Sequence, residues 1–326
     1  MRRLVTLTVV SALGLTLCGT ASAAYNPSLL VGETSPALGR NGSVRIFIRT
    51  SPEDDQTAIA TVYAPSGYRL ELGQRSGTEL GTVIAFLGAE AVQGTIRSDD
   101  PAAHASNQCA PGRHDAVWRI DLTLAGHEYR LPVYVDRVVA GPEAAYASAR
   151  MRMCLGSLPL RYADITVGNV FTNPDRQGAY AWNAVFVPYS PGTAMPNYPL
   201  AAQSTSYVGL PAAFAVSARL RQRGKQRVAV VTACLREAGQ AVPGVRVTLY
   251  YGGRSVFASR KAAVRRTGPG GCMTARVRIR KLMIVFASVH VPVRQGAGCT
   301  PSLAPRCSAS SIYPPSERFK PVKIVR

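Results

Sequence analysis

Apolar and polar residues alternate with a period of two along most of the chain. Val44-Arg45-Ile46-Phe47-Ile48-Arg49 is the clearest case. Ala58–Tyr63, Thr82–Leu87, Val117–Leu122, Tyr129–Val135, Ile165–Phe171 and Tyr180–Val187 follow the same rule. Period two puts successive side chains on opposite faces of a strand. Turn formers separate these runs, among them Pro65-Ser66-Gly67, Asp99-Asp100-Pro101 and Asn173-Pro174-Asp175. Pro142–Leu155 is ambiguous, because its alanines suit a helix while Ala149-Arg150-Met151-Arg152-Met153 alternates; strand is preferred. Further strands are predicted at Phe214–Leu220, Arg227–Leu235, Val245–Tyr251, Ser255–Ser259, Met273–Ile279 and Ile284–Val291, with a weaker one near Lys261–Arg265. Many short strands without intervening helices predict an all-β chain of antiparallel sandwiches.

The first residues break this pattern. Arg2-Arg3, an uncharged apolar run Leu4–Leu17 and Ala21-Ser22-Ala23 have the three parts of a secretory signal peptide, with cleavage expected after Ala23. The run is shorter than the roughly 20 residues a membrane helix needs. The expected location is therefore outside the cytoplasm, secreted or associated with the cell envelope. Cleavage removes Cys18 and leaves Cys109, Cys154, Cys234, Cys272, Cys299 and Cys307. An even number suits disulfides in an oxidising compartment. Six cysteines allow about 15 pairings, of which chain order favours Cys109–Cys154, Cys234–Cys272 and Cys299–Cys307. Cys234 and Cys272 fall in two predicted strands, so their bridge is expected to cross-link the sandwich.

Charge divides the chain. Residues 24–203 hold 14 basic and 16 acidic side chains, whereas 204–326 hold 22 basic and only 2 acidic, Glu237 and Glu317. The turn-rich stretch Pro191–Pro199 precedes the change. The expected organisation is a signal peptide at 1–23, a β-sandwich domain at 24–203, a basic Ig-like domain at 204–295 and a Pro-rich basic tail with a small disulfide loop at 296–326.

Gly239-Gln240-Ala241-Val242-Pro243-Gly244-Val245-Arg246-Val247-Thr248-Leu249, followed by Thr267-Gly268 and Gly270-Gly271 before a strand, resembles bacterial Ig-like and carboxypeptidase-regulatory-like domains. The likeness covers about a third of the chain and implies a β-sandwich spacer or binding module rather than an activity. Tyr63-Ala64-Pro65-Ser66-Gly67-Tyr68 and Gly77-Thr78-Glu79-Leu80-Gly81-Thr82 are similar to motifs of secreted actinobacterial proteins, which implies a compatible fold only.

Catalytic patterns are sparse. There is no G-x-S-x-G elbow and no H-E-x-x-H. His114-Asp115 is the only adjacent His–Asp pair, and His127-Glu128 lacks the second histidine of a zinc site. The acidic turns Glu53-Asp54-Asp55 and Asp99-Asp100 lack calcium-loop spacing. No cofactor and no metal are expected. Tyr180, Trp182 and Phe186 share one strand face, which reads as core or as an exposed platform.

The basic half carries the sharper pattern. Arg276, Arg278 and Arg280 fall on one face of a strand while Val277 and Ile279 take the other; Arg219, Arg221 and Arg223 repeat this, and Arg260, Lys261, Arg265 and Arg266 form a third cluster. Rows of like charge on a sheet are destabilising without counter-ions, and guanidinium binds phosphate or carboxylate in bidentate fashion. These residues are the candidate polyanion-binding site. The expected function is a secreted, non-catalytic binding or structural protein whose basic domain attaches to an anionic envelope polymer or surface, with a carbohydrate or protein ligand left open for the first domain. The alternatives are an exported hydrolase with a loop-borne site, and an extracellular nucleic-acid binder. The last is disfavoured because no aromatics interleave the arginines.

Overall fold

The computed structural model describes residues 25–156, 158–210, 212–223, 226–252, 260–279, 284–290, 306–311 and 317–323. The signal segment at 1–23, the predicted strand at 255–259, Arg280 and Cys299 lie outside these residues.

The chain is all-β. The first body is built from β1 (Ser28–Glu33), β2 (Asn41–Arg49), β3 (Thr57–Pro65), β4 (Arg69–Leu70), β5 (Glu79–Leu87), β6 (Glu90–Asp99), β7 (Ala116–Leu124), β8 (His127–Arg137), β9 (Ala147–Cys154), β10 (Leu160–Thr172), β11 (Gly178–Pro188) and β12 (Ala202–Leu210). They form one sheet in the order β1-β2-β10-β5-β6-β7-β8-β9-β3-β11-β12, with β4 beside β10, and every pairing among them is antiparallel. Pro142–Ala145 makes a 3-10 turn before β9, so the ambiguous stretch begins helically and ends as a strand.

The sheet folds over into packed layers around one apolar interior. Ile46, Val62, Ile96, Trp118, Val133, Met151 and Ile165 come from strands spread around the sheet, yet they border the same internal void of about 20 Å³. The end strand β1 meets β12, which lies next to the other end of the sheet. Leu29 and Val31 of β1 donate backbone N–H bonds to the hydroxyls of Ser204 and Ser206 on β12, at 2.9 and 2.8 Å. The other face of β12 is also buried: Gln203 Nε2 and Thr205 Oγ1 both donate to Asn183 Oδ1, at 3.0 and 2.7 Å. Tyr180, Trp182 and Phe186 point into the core.

The second body is built from β13 (Ala213–Arg223), β14 (Gln226–Glu237), β15 (Gln240–Ala241), β16 (Arg246–Tyr251), β17 (Arg260–Arg266), β18 (Cys272–Ile279), β19 (Ile284–His290) and β21 (Glu317–Lys323), while β20 (Arg306–Ser311) joins the first sheet beside β12. One sheet has β14 between β13 and β18, with β15 adjoining β14; the other runs β17-β16-β19-β21. Leaving aside the two-residue β15, the first, second and fifth strands share a sheet and the third, fourth, sixth and seventh share the other, as in an immunoglobulin-like sandwich. Phe214, Ala218, Val231, Leu235, Ala275 and Val277 of one sheet share a core with Leu249, Val285 and Val289 of the other.

The residues behind the Ig-like resemblance meet in space. Thr267 Oγ1 donates to the Val242 carbonyl at 2.7 Å and accepts from Val245 N–H at 2.9 Å. Gly271 has φ +72°, and a Cβ there would lie 2.7 Å from the Leu235 carbonyl oxygen, so the turn needs glycine.

Two boundaries differ from expectation. The division placed at 203/204 falls inside β12, which pairs with β11 as far as Leu210. The segment read as a tail at 296–326 supplies β21, which pairs with β19, and β20, which runs parallel to β12. Alternating hydrophobicity is weak in both, so the sequence pattern hid them.

Replacing Ser206 with alanine removes the acceptor for Val31 N–H inside the seam. The expected loss is about 1–3 kcal/mol of unfolding free energy, read from urea denaturation. A change within about 0.5 kcal/mol, the range of surface substitutions, would show that the hydroxyl does not hold the seam.

Candidate polyanion-binding face

Residue parity divides the faces of the β13-β14-β18 sheet. Ala218 on β13, Ala229, Val231, Ala233 and Leu235 on β14, and Ala275 and Val277 on β18 are buried. Their neighbours in sequence face outward. Arg219, Arg221, Arg276 and Arg278 are all exposed.

Strand register turns these four residues into two rows. Arg219 lies opposite Val230, which lies opposite Arg276; Arg221 lies opposite Val228, which lies opposite Arg278. Each row therefore reads Arg-Val-Arg across three strands. Strand spacing puts the arginines of a row about 9.5 Å apart at the backbone, and the rows are about 7 Å apart along the strands. Both distances are comparable to the screening length of about 8 Å at physiological salt. The guanidiniums therefore share one field instead of acting as isolated charges.

Among the described residues no ion pair is formed by these four arginines. The ion pairs between described residues all join side chains in the stretch 45–175. Glu237 accepts the Gln177 N–H at 2.9 Å, at the junction with the first body. Val228 and Val230 are half-buried, so the centre of the face is an apolar strip flanked by donors.

The remaining candidates are placed differently. Arg223 ends β13 opposite Gln226, in the next row along. Arg280 lies outside the described residues. Arg260, Lys261, Arg265 and Arg266 are on β17, in the other sheet, and do not extend the rows. The β17 pattern also breaks period two: both of its basic pairs, Arg260-Lys261 and Arg265-Arg266, are exposed in succession, as on an edge strand. Arg266 donates to the Gly244 carbonyl at 2.7 Å, so part of this cluster braces a turn.

The cysteines frame the site. Cys109 pairs with Cys154 and Cys234 with Cys272. Cys234 and Cys272 are directly opposite each other on β14 and β18, with Cα atoms 4.0 Å apart. The bridge therefore joins neighbours in one sheet and does not cross-link the two layers as expected. It shares the parity of Val228 and Val230, so it lies on the same face as the arginines. Cys307 lies on β20, but a bridge to Cys299 falls outside the described residues.

Residues examined for chemistry have structural partners. His114 Nδ1 is 3.0 Å from Asp136 and Nε2 is 2.9 Å from the Ala110 carbonyl, while Asp115 accepts the Arg137 N–H at 2.7 Å. The adjacent pair in sequence is thus not a pair in space. Asp54 accepts the N–H groups of Asn26 and Ser51. Asp99 faces His104 and Arg119, and Asp100 caps the 3-10 turn at Pro101–His104.

Glu33 has no signal in the sequence, yet its carboxylate oxygens are sealed inside and meet no well-aligned hydrogen-bond donor. Burial raises its pKa from the ordinary 4.5 to about 7, and the nearby Tyr68 hydroxyl moderates the rise. Burial also drives the Tyr68 phenol well above its usual range.

No protein family matches the chain, and no curated sequence matches it. Among solved structures, the full-length major pilin SpaD from Corynebacterium diphtheriae aligns with 92% of this chain and 67% of its own, at 11% identity and a TM-score of 0.22. A likeness of that size transfers no function, so the functional reading rests on the chain's own residues.

Between pH 4.5 and 7 the unfolded chain releases a proton that native Glu33 keeps. The group therefore contributes most stability below pH 4.5 and loses it as pH rises through about 7. The Glu33→Gln variant should gain about 3 kcal/mol on the parent between pH 5 and pH 8, read from denaturant titrations. A constant difference across that range would contradict the buried neutral carboxyl.

Proposed function

We propose that the protein is an exported, non-catalytic envelope or extracellular protein, and that it holds to an anionic polymer through the arginine face of its Ig-like domain. The observation that carries this reading is the pair of aligned Arg-Val-Arg rows, which form no ion pair among the described residues. Four like charges held within about one screening length of each other repel and cost stability. An anionic chain laid along the rows would offset that cost and accept bidentate hydrogen bonds from each guanidinium. The signal-like N-terminus and the two disulfides support a place outside the cytoplasm.

The test uses the full chain and long-chain inorganic polyphosphate. With four arginines engaged, log affinity should fall with log salt at a slope of about −3. Changing Arg219, Arg221, Arg276 and Arg278 together to serine should cut affinity at least about tenfold and flatten that slope. Because the side chains are exposed and unpaired, the same change should leave the fold intact and raise thermal stability at low salt. Unchanged affinity in the folded variant would refute the anchoring role.

A further inference from the structure

The first body carries a long trough on the opposite chemical principle. Three adjoining depressions share lining residues. The widest encloses about 890 Å³ beside the Cys109–Cys154 bridge. It meets a cavity of about 390 Å³ on the outer face of β6, β7 and β8, with Tyr129 and Arg130 lining both. At its other end it meets one of about 620 Å³, with Tyr189 and Ala194 lining both. Tyrosines therefore stand at both junctions, and Tyr198, 57% exposed, stands in the middle part with Met195, 68% exposed. The Tyr189 hydroxyl is fixed on the Gly156 carbonyl at 2.7 Å, which holds its ring in place.

We infer that this trough binds a neutral polysaccharide chain. Three features select that ligand. First, the shape is extended and open, which suits a polymer and not a compact metabolite. Second, the charges cancel: Arg97, Arg119 and Arg130 are matched by Asp55, Asp121 and Glu128. Arg119 is paired with Asp121 at 2.8 Å and Arg130 with Glu128 at 3.3 Å. A polyanion would find no net field there. Third, the trough is lined by the side-chain amides of Asn107 and Gln108 in its middle part and Gln56 in the part beyond Tyr189. Gln56 Nε2 donates to the Gly156 and Leu158 carbonyls, and Asn107 Oδ1 accepts the Cys109 and Ala110 N–H groups. This leaves the Asn107 Nδ2 donor, the Gln56 Oε1 acceptor and the Gln108 amide for a ligand. Together these groups both donate and accept hydrogen bonds, as sugar hydroxyls require, while a phenol ring offers an apolar face for the C–H side of a pyranose. An extended peptide is disfavoured because β6, β7 and β8 are each paired on both sides, leaving no free strand edge for main-chain pairing.

The full chain is titrated calorimetrically with four neutral hexasaccharides: the β-1,4-glucan, the β-1,4-N-acetylglucosamine, the α-1,4-glucan and the β-1,4-mannan. At least one should bind, with an affinity that stays constant between about 50 and 200 mM salt, where a polyanion contact would weaken steeply. Tyr198→Ala should weaken it about tenfold while leaving the unfolding midpoint unchanged, since this ring is largely exposed. Tyr129→Ala should weaken it too, although that ring also touches the core. Absence of heat with all four sugars, full affinity in the Tyr198→Ala variant, or affinity that collapses with salt would each overturn the assignment. The serine variants of the arginine face should bind the sugar as the parent does; this separates failure here from failure of the polyanion reading.

Discussion

The structure depends on the seam where β1 meets β12. β1 would otherwise end the sheet in an unpaired edge, a template for another chain, whereas β12 already has β11 on one side and β20 on the other. Here the outer N–H groups of Leu29 and Val31 are satisfied by the Ser204 and Ser206 hydroxyls. This is why a polar strand, Ala202-Gln203-Ser204-Thr205-Ser206, sits at the centre of the molecule, buried on both faces. An apolar β12 would pack there but leave those donors unmet, at a cost of about 1–3 kcal/mol each. Closing the seam also lets strands remote in sequence share one core, and it leaves the outer faces of β6, β7 and β8 free to carry the trough.

In the second body, register takes the place of closure. The arginines align only while β14 stays paired residue for residue with β13 and β18. A slip of one residue would turn guanidiniums inward and valines outward. The Cys234–Cys272 bridge joins two directly opposed residues of that ladder, so it fixes the register covalently. The same face thus carries the charge rows and the bond that holds them in line. The two bodies touch where Gln177 meets Glu237 and Leu38 enters the shared core. Glu237, one of the two acidic residues of this stretch, is therefore engaged at the junction.

Strong alternation made much of this legible from residues alone. Arg276 and Arg278 could be assigned to one outward face because Val277 separates them, and Cys109 could be paired with Cys154 from chain order. What the sequence hid has physical reasons. β12 lacks a polar–apolar contrast because it is buried on both faces with its polar side chains hydrogen-bonded, which hydrophobicity does not report, and β1 lacks one because the exposed Leu30 lies between the buried Leu29 and Val31. β6 is interrupted by Gly94, and the last two strands sit among prolines. The convergence of Arg219 with Arg276 depends on a strand order that no local pattern specifies. The trough joins Tyr129, Tyr189 and Tyr198 from separate segments, and Glu33 is sealed by side chains far along the chain.

The proposed anchor requires arginines from two non-adjacent strands, β13 and β18, to act as one surface. Arginine-selective dicarbonyl labelling of the full chain, mapped by mass spectrometry with and without bound polyphosphate, tests it directly. Arg219, Arg221, Arg276 and Arg278 should lose reactivity together and regain it together as salt rises, while Arg40, Arg49 and Arg97 of the first body label as before. Protection spread evenly over both bodies, or confined to one of the two strands, would contradict it.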